Sequence, residues 1–379
     1  MTPVPFTDLA ATANDVWPAI EKDYRACLLG GAYIGGFPVT AFERDWAAYC
    51  GADYAVGVAN GTDALELTLT ALGVGRGDEV IVPANTFIAS AAAVVRAGGT
   101  PRFADVGDDT LLMTPETLTE AITPRSRAVI VVHLFGQLPD MPGILAAASH
   151  AGIPVIEDAA QAHGAEWNGQ RAGSFGTAAC FSFYPGKNLG AFGDAGAVVT
   201  SRPELAERVR MLANHGRSLG TAHYEHEYVG TNSRLDALQA IVLSGKLAQL
   251  DTWTQRRIEL AARYRALLGS ADLKLTSVAP VARHVYHLFV VRVAGRDGVR
   301  AQLARCGIQT GVHYPVPCHR QPPLQQFADR PLPVAERAAG QLLSLPMFPH
   351  LTDGQVDYVC DALGDVLRET TGSELADVW

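Results

Sequence analysis

Short apolar runs and amphipathic stretches alternate along most of the chain, and that alternation predicts its architecture. Apolar runs over 54–58, 78–83, 100–105, 128–136, from Ile153 towards Gly164, and 197–200 read as strands. Between them, apolar residues recurring three and four apart predict helices beginning near Asp63 and over 84–96, 114–122, 141–150 and 204–213. The runs at 128–136 and from Ile153 are apolar at nearly every position, which is the pattern of strands covered on both faces of a parallel sheet. Upstream, helical patterns over 14–29 and 39–49 flank a glycine-rich loop, and Phe42, Trp46 and Tyr49 share one helical face, as core residues do. Downstream, 233–268 reads as one or two long helices. Strands near 273–277 and 287–293 and helices over 299–306 and 353–368 then form a smaller α+β unit. The expectation is an α/β chain of two domains, 1–250 with a mainly parallel sheet flanked by helices and 251–379 smaller, divided near Leu250.

Length and composition narrow the function. A chain of 379 residues is too long for one ordinary core, which supports the two-domain division. The net charge of −9, without a basic run, excludes an extended nucleic-acid surface, so any phosphate bound is expected to be small. No apolar segment approaches the roughly 20 residues that cross a bilayer, and residues 1–6 are not a charged-then-apolar leader. No membrane association and a cytoplasmic location are the corresponding expectations. The six cysteines, Cys27, Cys50, Cys180, Cys306, Cys318 and Cys360, show no paired spacing, so neither a metal site nor a disulfide framework is expected.

Candidate chemistry centres on 178–196. Cys180 to Tyr184 read as a short buried strand, Pro185-Gly186 breaks it, and Lys187 follows in a run of Asn and Gly with no helical pattern. Only Lys22, Lys187, Lys246 and Lys274 are lysines among 30 basic residues, so arginine serves wherever a plain cation suffices. An amine can lose its proton and form an imine, and a guanidinium cannot; the alternative is a structural lysine. At Asn60-Gly61-Thr62 a strand passes into a helix, aiming backbone N–H groups and a hydroxyl at one point where an anion fits, although ordinary helix capping uses the same residue types. Glu157, Asp158, Gln161 and His163 are expected at the carboxyl end of a strand, the edge along which α/β proteins bind ligands. Phe87 stands at a strand-to-helix turn. The polar loop 214–232, with His215, Arg217, His223, Tyr224, His226 and Tyr228, reads as functional or as a solvated lid. Pro315, Pro317 and Pro322 fix an extended loop expected to display His313, Tyr314, His319 and Arg320.

An amine, an anion cradle, a buried acid and an aromatic plate are together what pyridoxal 5′-phosphate asks for: an imine partner, phosphate donors, and a carboxylate that keeps the ring nitrogen protonated. With VPFTDL at 4–9, NGTDAL at 60–65, EDAAQAHG at 157–164, FSFYPGKNLG at 181–190, GTNSRLDALQA at 230–240 and HYP at 313–315, the chain resembles the DegT/DnrJ/StrS-type sugar aminotransferases over nearly its whole length. The resemblance implies a fold-type I pyridoxal-phosphate enzyme, a homodimer with shared active sites, and specific roles. Lys187 would hold the cofactor and shuttle the proton. Asp158 would pair with the ring nitrogen, and Gln161 would touch the ring or its hydroxyl. Gly61, Thr62 and Ser182 would bind the phosphate, with Asn232 supplied by the partner subunit, and Phe87 would stack on the ring. Arg234 would meet the carboxylate of the amino donor, L-glutamate, while His313 and Tyr314 would face a nucleoside-diphosphate keto-sugar. The residues at 4–9 and 313–322 favour amination at C-3. A C-4 keto-sugar, a keto-cyclitol, or a regulatory relative without catalysis remain the alternatives.

Overall fold

The computed structural model describes residues 3–219 and 224–376, so His223 lies outside the described residues. Its centre is a seven-stranded sheet in the order Tyr54–Val58, Gly196–Thr200, Ala178–Ser182, Val155–Asp158, Ser126–Val132, Glu79–Pro83, Thr100–Ala104. Gly196–Thr200 runs antiparallel to both neighbours, and all the other pairings are parallel. The near-continuous apolar runs are explained by two separate cores, one on each face. Val80, Val82, Ile130 and Ile156 contribute to one, and Ile81, Val129, Val131 and Val155 to the other. The alternation follows from successive side chains of a strand pointing to opposite faces.

Three expected boundaries shift for local reasons. The strand over 128–136 stops at Val132, because Phe135 (φ 64°) and Gly136 (φ 102°) enter the left-handed region and close a 3₁₀ turn at Leu134–Gly136. The strand from Ile153 is confined to Val155–Asp158; beyond it the chain turns, with Ala162 N donating to Ala159 O and Ala165 N to Ala162 O. The helix expected near Asp63 starts at Gly61, since the Asn60 side chain accepts from Asp63 N at 2.8 Å and caps it.

The C-terminal part forms a three-stranded antiparallel sheet, Lys274–Leu275, Phe289–Arg292 and Leu342–Leu345, packed on the helices Arg296–Arg305 and Asp353–Ala376. Leu342–Leu345, the helix Pro333–Ala339, and a small sheet of Glu166–Trp167, Gln170–Arg171 and Ala282–Arg283 add to the elements read from the sequence. Val4 belongs to this C-terminal core: its N–H donates to Gly307 O at 2.9 Å and its carbonyl accepts from Gln309 N at 3.0 Å. The 214–232 segment is bridged at Asn214–Asn232 and Arg217–His226. Among the described residues, no helix is long and apolar enough to cross a membrane.

Candidate active site

A cavity of about 800 Å³ opens at the carboxyl edge of the parallel strands, where Asp158, Ser182, Val132 and Leu134 meet the helix starts at Gly61 and Phe87. Gly61, Thr62, Phe87, Asp158, Gln161, Ser182, Lys187, His313 and Tyr314 all line it. Asn232 and Arg234 do not line it within one chain: Asn232 is exposed, and Arg234 donates to Asn214 Oδ1 at 3.4 Å.

Lys187 is held by its loop. Its own N–H donates to Tyr184 O at 2.8 Å, Asn188 Nδ2 donates to Val285 O at 3.0 Å, and Lys246 Nζ donates to Gly190 O at 2.7 Å. The loop folds so tightly that a Cβ on Gly190 would come within 2.3 Å of Pro185 O. Lys187 is half-buried and lines the cavity. Crowding by protein lowers its amine pKa to about 8, against the pull of Asp158. Burial pushes the Asp158 carboxyl up, opposed by hydrogen bonds from Ser90 Oγ at 2.6 Å and Ala160 N at 3.2 Å.

The surrounding histidines are kept neutral. Burial, with Lys187 nearby, lowers His163 to about 3 and His313 to about 4, and His287 falls well below its ordinary value for the same reasons. Besides His287 and His313, Lys187 and Asp158 line the cavity together with Asp63, Arg96 and Asp194.

At the other end lies an anion cradle. Asn60 takes the amides of Asp63 and Ala64, so the amides of Gly61 and Thr62 are the ones a bound anion would meet. Ser182 Oγ accepts from Tyr184 N at 3.3 Å, which leaves its proton to donate. Only glycine fits at 61: a Cβ there would lie 2.6 Å from Ser182 Cβ. Phe87 is exposed to the cavity beside Tyr314, ring centroids 5.5 Å apart. Gln161 accepts from Phe135 N at 2.6 Å and donates to Tyr314 OH at 3.1 Å. His313 stacks on Phe6, with Nδ1 2.8 Å from Ser344 Oγ. These residues fit pyridoxal phosphate: donors for a phosphate at one end, an amine, and a carboxylate deep in the wall.

Three residues sit differently from the expectation. Glu157 faces away from Asp158, as strand alternation requires, and its carboxylate accepts from Gly173 N, Phe175 N and Gly176 N at 2.8 to 2.9 Å and pairs with His133 Nε2 at 2.8 Å. His163 is enclosed by Trp46, Phe181 and Phe183 and binds Ser182 O at 2.9 Å, supporting the cradle from behind. His319 is not displayed: it is buried, 2.8 Å from Glu336, because a 3₁₀ turn at Cys318–Arg320 swings its ring inward against Phe103. Sequence reasoning also passed over Ser90, Thr86, Asn188 and His287. Ser90, Asn188 and His287 meet partners 68, 97 and 99 positions away, and Thr86 matters only through Ser90 four positions on, so a hydroxyl at 86 or 90 carries no local signal.

The model of the DegT/DnrJ/EryC1/StrS aminotransferase family matches residues 16–364. The chain is 48% identical over 363 residues to dTDP-3-amino-3,4,6-trideoxy-alpha-D-glucose transaminase of Streptomyces venezuelae, covering 95% of each. It is 46% identical over 363 residues to the erythromycin biosynthesis sensory transduction protein EryC1 of Saccharopolyspora erythraea, covering 95% of this chain and 98% of that one. Among solved structures, S. venezuelae DesV in complex with a ketimine intermediate superposes with a TM-score of 0.93 at 47% identity, covering 96% of this chain and 98% of that one.

Proposed function

This chain belongs to the DegT/DnrJ/EryC1/StrS aminotransferase family, and on that premise we propose that it moves an amino group from L-glutamate to C-3 of a nucleoside-diphosphate keto-deoxysugar, with pyridoxal 5′-phosphate as cofactor. The observation that carries the proposal is the cavity in which Lys187 and Asp158 share one floor and Gly61, Thr62 and Ser182 form the anion cradle. When bound, the cofactor supplies an electron sink for charge that develops at the reacting carbon. Asp158 holds the ring nitrogen protonated by charge pairing. Lys187, whose amine pKa of about 8 leaves a useful neutral fraction near physiological pH, moves the proton at its Nζ. Phe87 would pack on the ring, Gln161 would meet its hydroxyl, and the neutral His313 and Tyr314 would face the sugar. A cavity of about 800 Å³ leaves room beyond the cofactor for a substrate as large as a sugar nucleotide.

A second copy completes the site in this reading. Asn232 and Arg234, which lie outside the cavity of their own chain, reach the phosphate and the donor carboxylate across an isologous interface. Exposed apolar side chains at Leu29, Ile34, Phe37 and Val229 suit such a contact. We place the enzyme in the cytoplasm, in amino-sugar biosynthesis. A regulatory role, which the name of the S. erythraea relative raises, is disfavoured by the intact Lys187. The test is amine formation from glutamate with a panel of dTDP- and UDP-linked 3-keto and 4-keto sugars and a keto-cyclitol. Amination of a 3-keto sugar, abolished by Lys187→Ala, is the expected result. Turnover of only a 4-keto sugar or cyclitol refutes the C-3 assignment, and no turnover of any by cofactor-loaded protein refutes the enzyme reading.

A further inference from the structure

The role given to Asp158 requires an ionised, oriented carboxylate, yet burial works against ionisation at that position. The foremost of the groups that oppose burial, Ser90, heads a chain of two hydroxyls. Ser90 Oγ lies 2.6 Å from Asp158 Oδ2, and Thr86 Oγ1 lies 2.9 Å from Ser90 Oγ. Both residues are buried, Ser90 at 0% and Thr86 at 2% exposure, Thr86 at the cavity edge and Ser90 beneath it. The proton directions are fixed by valence. A carboxylate only accepts, so the single Ser90 proton goes to Asp158; Ser90 must then accept from Thr86. The relay therefore runs from Thr86 through Ser90 to Asp158, each hydroxyl polarising the next.

The backbone that carries the relay also carries the aromatic plate. Thr86, Phe87 and Ser90 occupy one turn at the start of the helix Ile88–Arg96, with Ser90 N donating to Phe87 O at 3.2 Å. Phe87 and Thr86 line the cavity from that turn, while Ser90, fully buried, does not.

We propose that Ser90, backed by Thr86, is a positioning residue that holds Asp158 as an oriented carboxylate facing the ring nitrogen of the cofactor. The inference rests on the cofactor reading given above. Other ionisable groups also act on or sense Asp158. Lys187 comes from its loop, His133 from the end of Ser126–Val132, Cys180 from the adjacent strand and Tyr314 from the proline-rich loop. A substitution at 90 leaves all four in place.

The experiment is titration of cofactor-stripped full-length protein with pyridoxal phosphate, giving dissociation constants from acidic to mildly alkaline pH. Ser90→Ala is expected to weaken binding on the order of tenfold at neutral pH, since a hydrogen bond to a charged group is lost. Its affinity should also begin to fall at a higher pH than that of wild type on acidification. Thr86→Val should move both readouts the same way by less, and Thr86→Ser, which keeps the hydroxyl, should match wild type. In an Asp158→Asn background, Ser90→Ala should add nothing, because its effect runs through the carboxylate. Folded Ser90→Ala with wild-type affinity and pH profile overturns the proposal, as does an effect of Ser90→Ala that persists in full beside Asp158→Asn. Wild-type protein that takes up no pyridoxal phosphate overturns the cofactor assignment itself.

Discussion

Glu157 and Asp158 are consecutive carboxylates on one strand, nearly equally buried at 0% and 6% exposure, and they have opposite characters. For Glu157, burial raises the pKa, but His133 and the amides of Gly173 and Gly176 outweigh it, so the net shift is down. For Asp158, burial outweighs Ser90 and Ala160, and the net shift is up. Glu157 has its acceptors filled and faces protein; Asp158 is undersupplied and faces a cavity. Burial alone therefore says little about role, whereas unfilled hydrogen-bonding capacity beside a cavity points to a ligand.

The largest effect that would sharpen this contrast is on turnover. Asp158→Asn should cut kcat on the order of a thousandfold, since an electrostatic group placed at the site of developing charge is removed, while circular dichroism stays that of wild type. A loss of secondary structure in that variant would break the distinction. Glu157→Gln should do the reverse, costing about 3 kcal/mol of folding stability in denaturant melts because three amides and His133 lose the carboxylate they share and one set of them meets an NH2 donor instead, with near-normal kcat per folded molecule.

At the cradle the same contrast recurs between filled and open amides. Gly61→Ala should weaken phosphate-dependent cofactor binding by about tenfold, through a forced shift of Ser182. Asn60→Ala should instead cost about 1 kcal/mol of stability through the lost cap. Equal loss of cofactor affinity in the two variants would argue against the division.

The smallest effect is the most diagnostic. A depressed folded-state pKa contributes stability above the unfolded value that is lost as pH falls through the folded one, so Glu157 stabilises at neutral pH and fails in acid. A raised carboxyl pKa has the opposite sign: ionised Asp158 opposes folding once pH exceeds the ordinary carboxylate range. Cofactor-free Asp158→Asn should therefore melt slightly above wild type at neutral pH, the gain vanishing on acidification. A variant that melts lower at neutral pH would contradict this.

The strands of the large sheet were legible because burial on both faces leaves apolar runs that few other structures produce. Lys187, Asp158, Gly61 and Thr62 were legible because turn chemistry flanks them. Ser90 was not: its partner lies 68 positions away, and only the sheet order brings the two together. His319 misled because prolines beside a polar residue read as a display loop, whereas Glu336, on a helix the sequence pattern did not announce, draws the ring inward. Asn232 and Arg234 carry no information within one chain, since the surface that gives them meaning in this reading belongs to a second copy.

The docking of Val4–Phe6 onto 307–313 has a consequence for synthesis. Phe6 N donates to Gln309 Oε1 across 303 positions, and Phe6 stacks on His313 to form one wall of the cavity. On the ribosome, every strand of the large sheet and the whole cradle emerge long before that wall can close. A nascent chain halted short of Gly307 thus carries the Lys187 loop and the cradle but lacks the Phe6–His313 wall, so the cavity gains its full shape only near the end of translation.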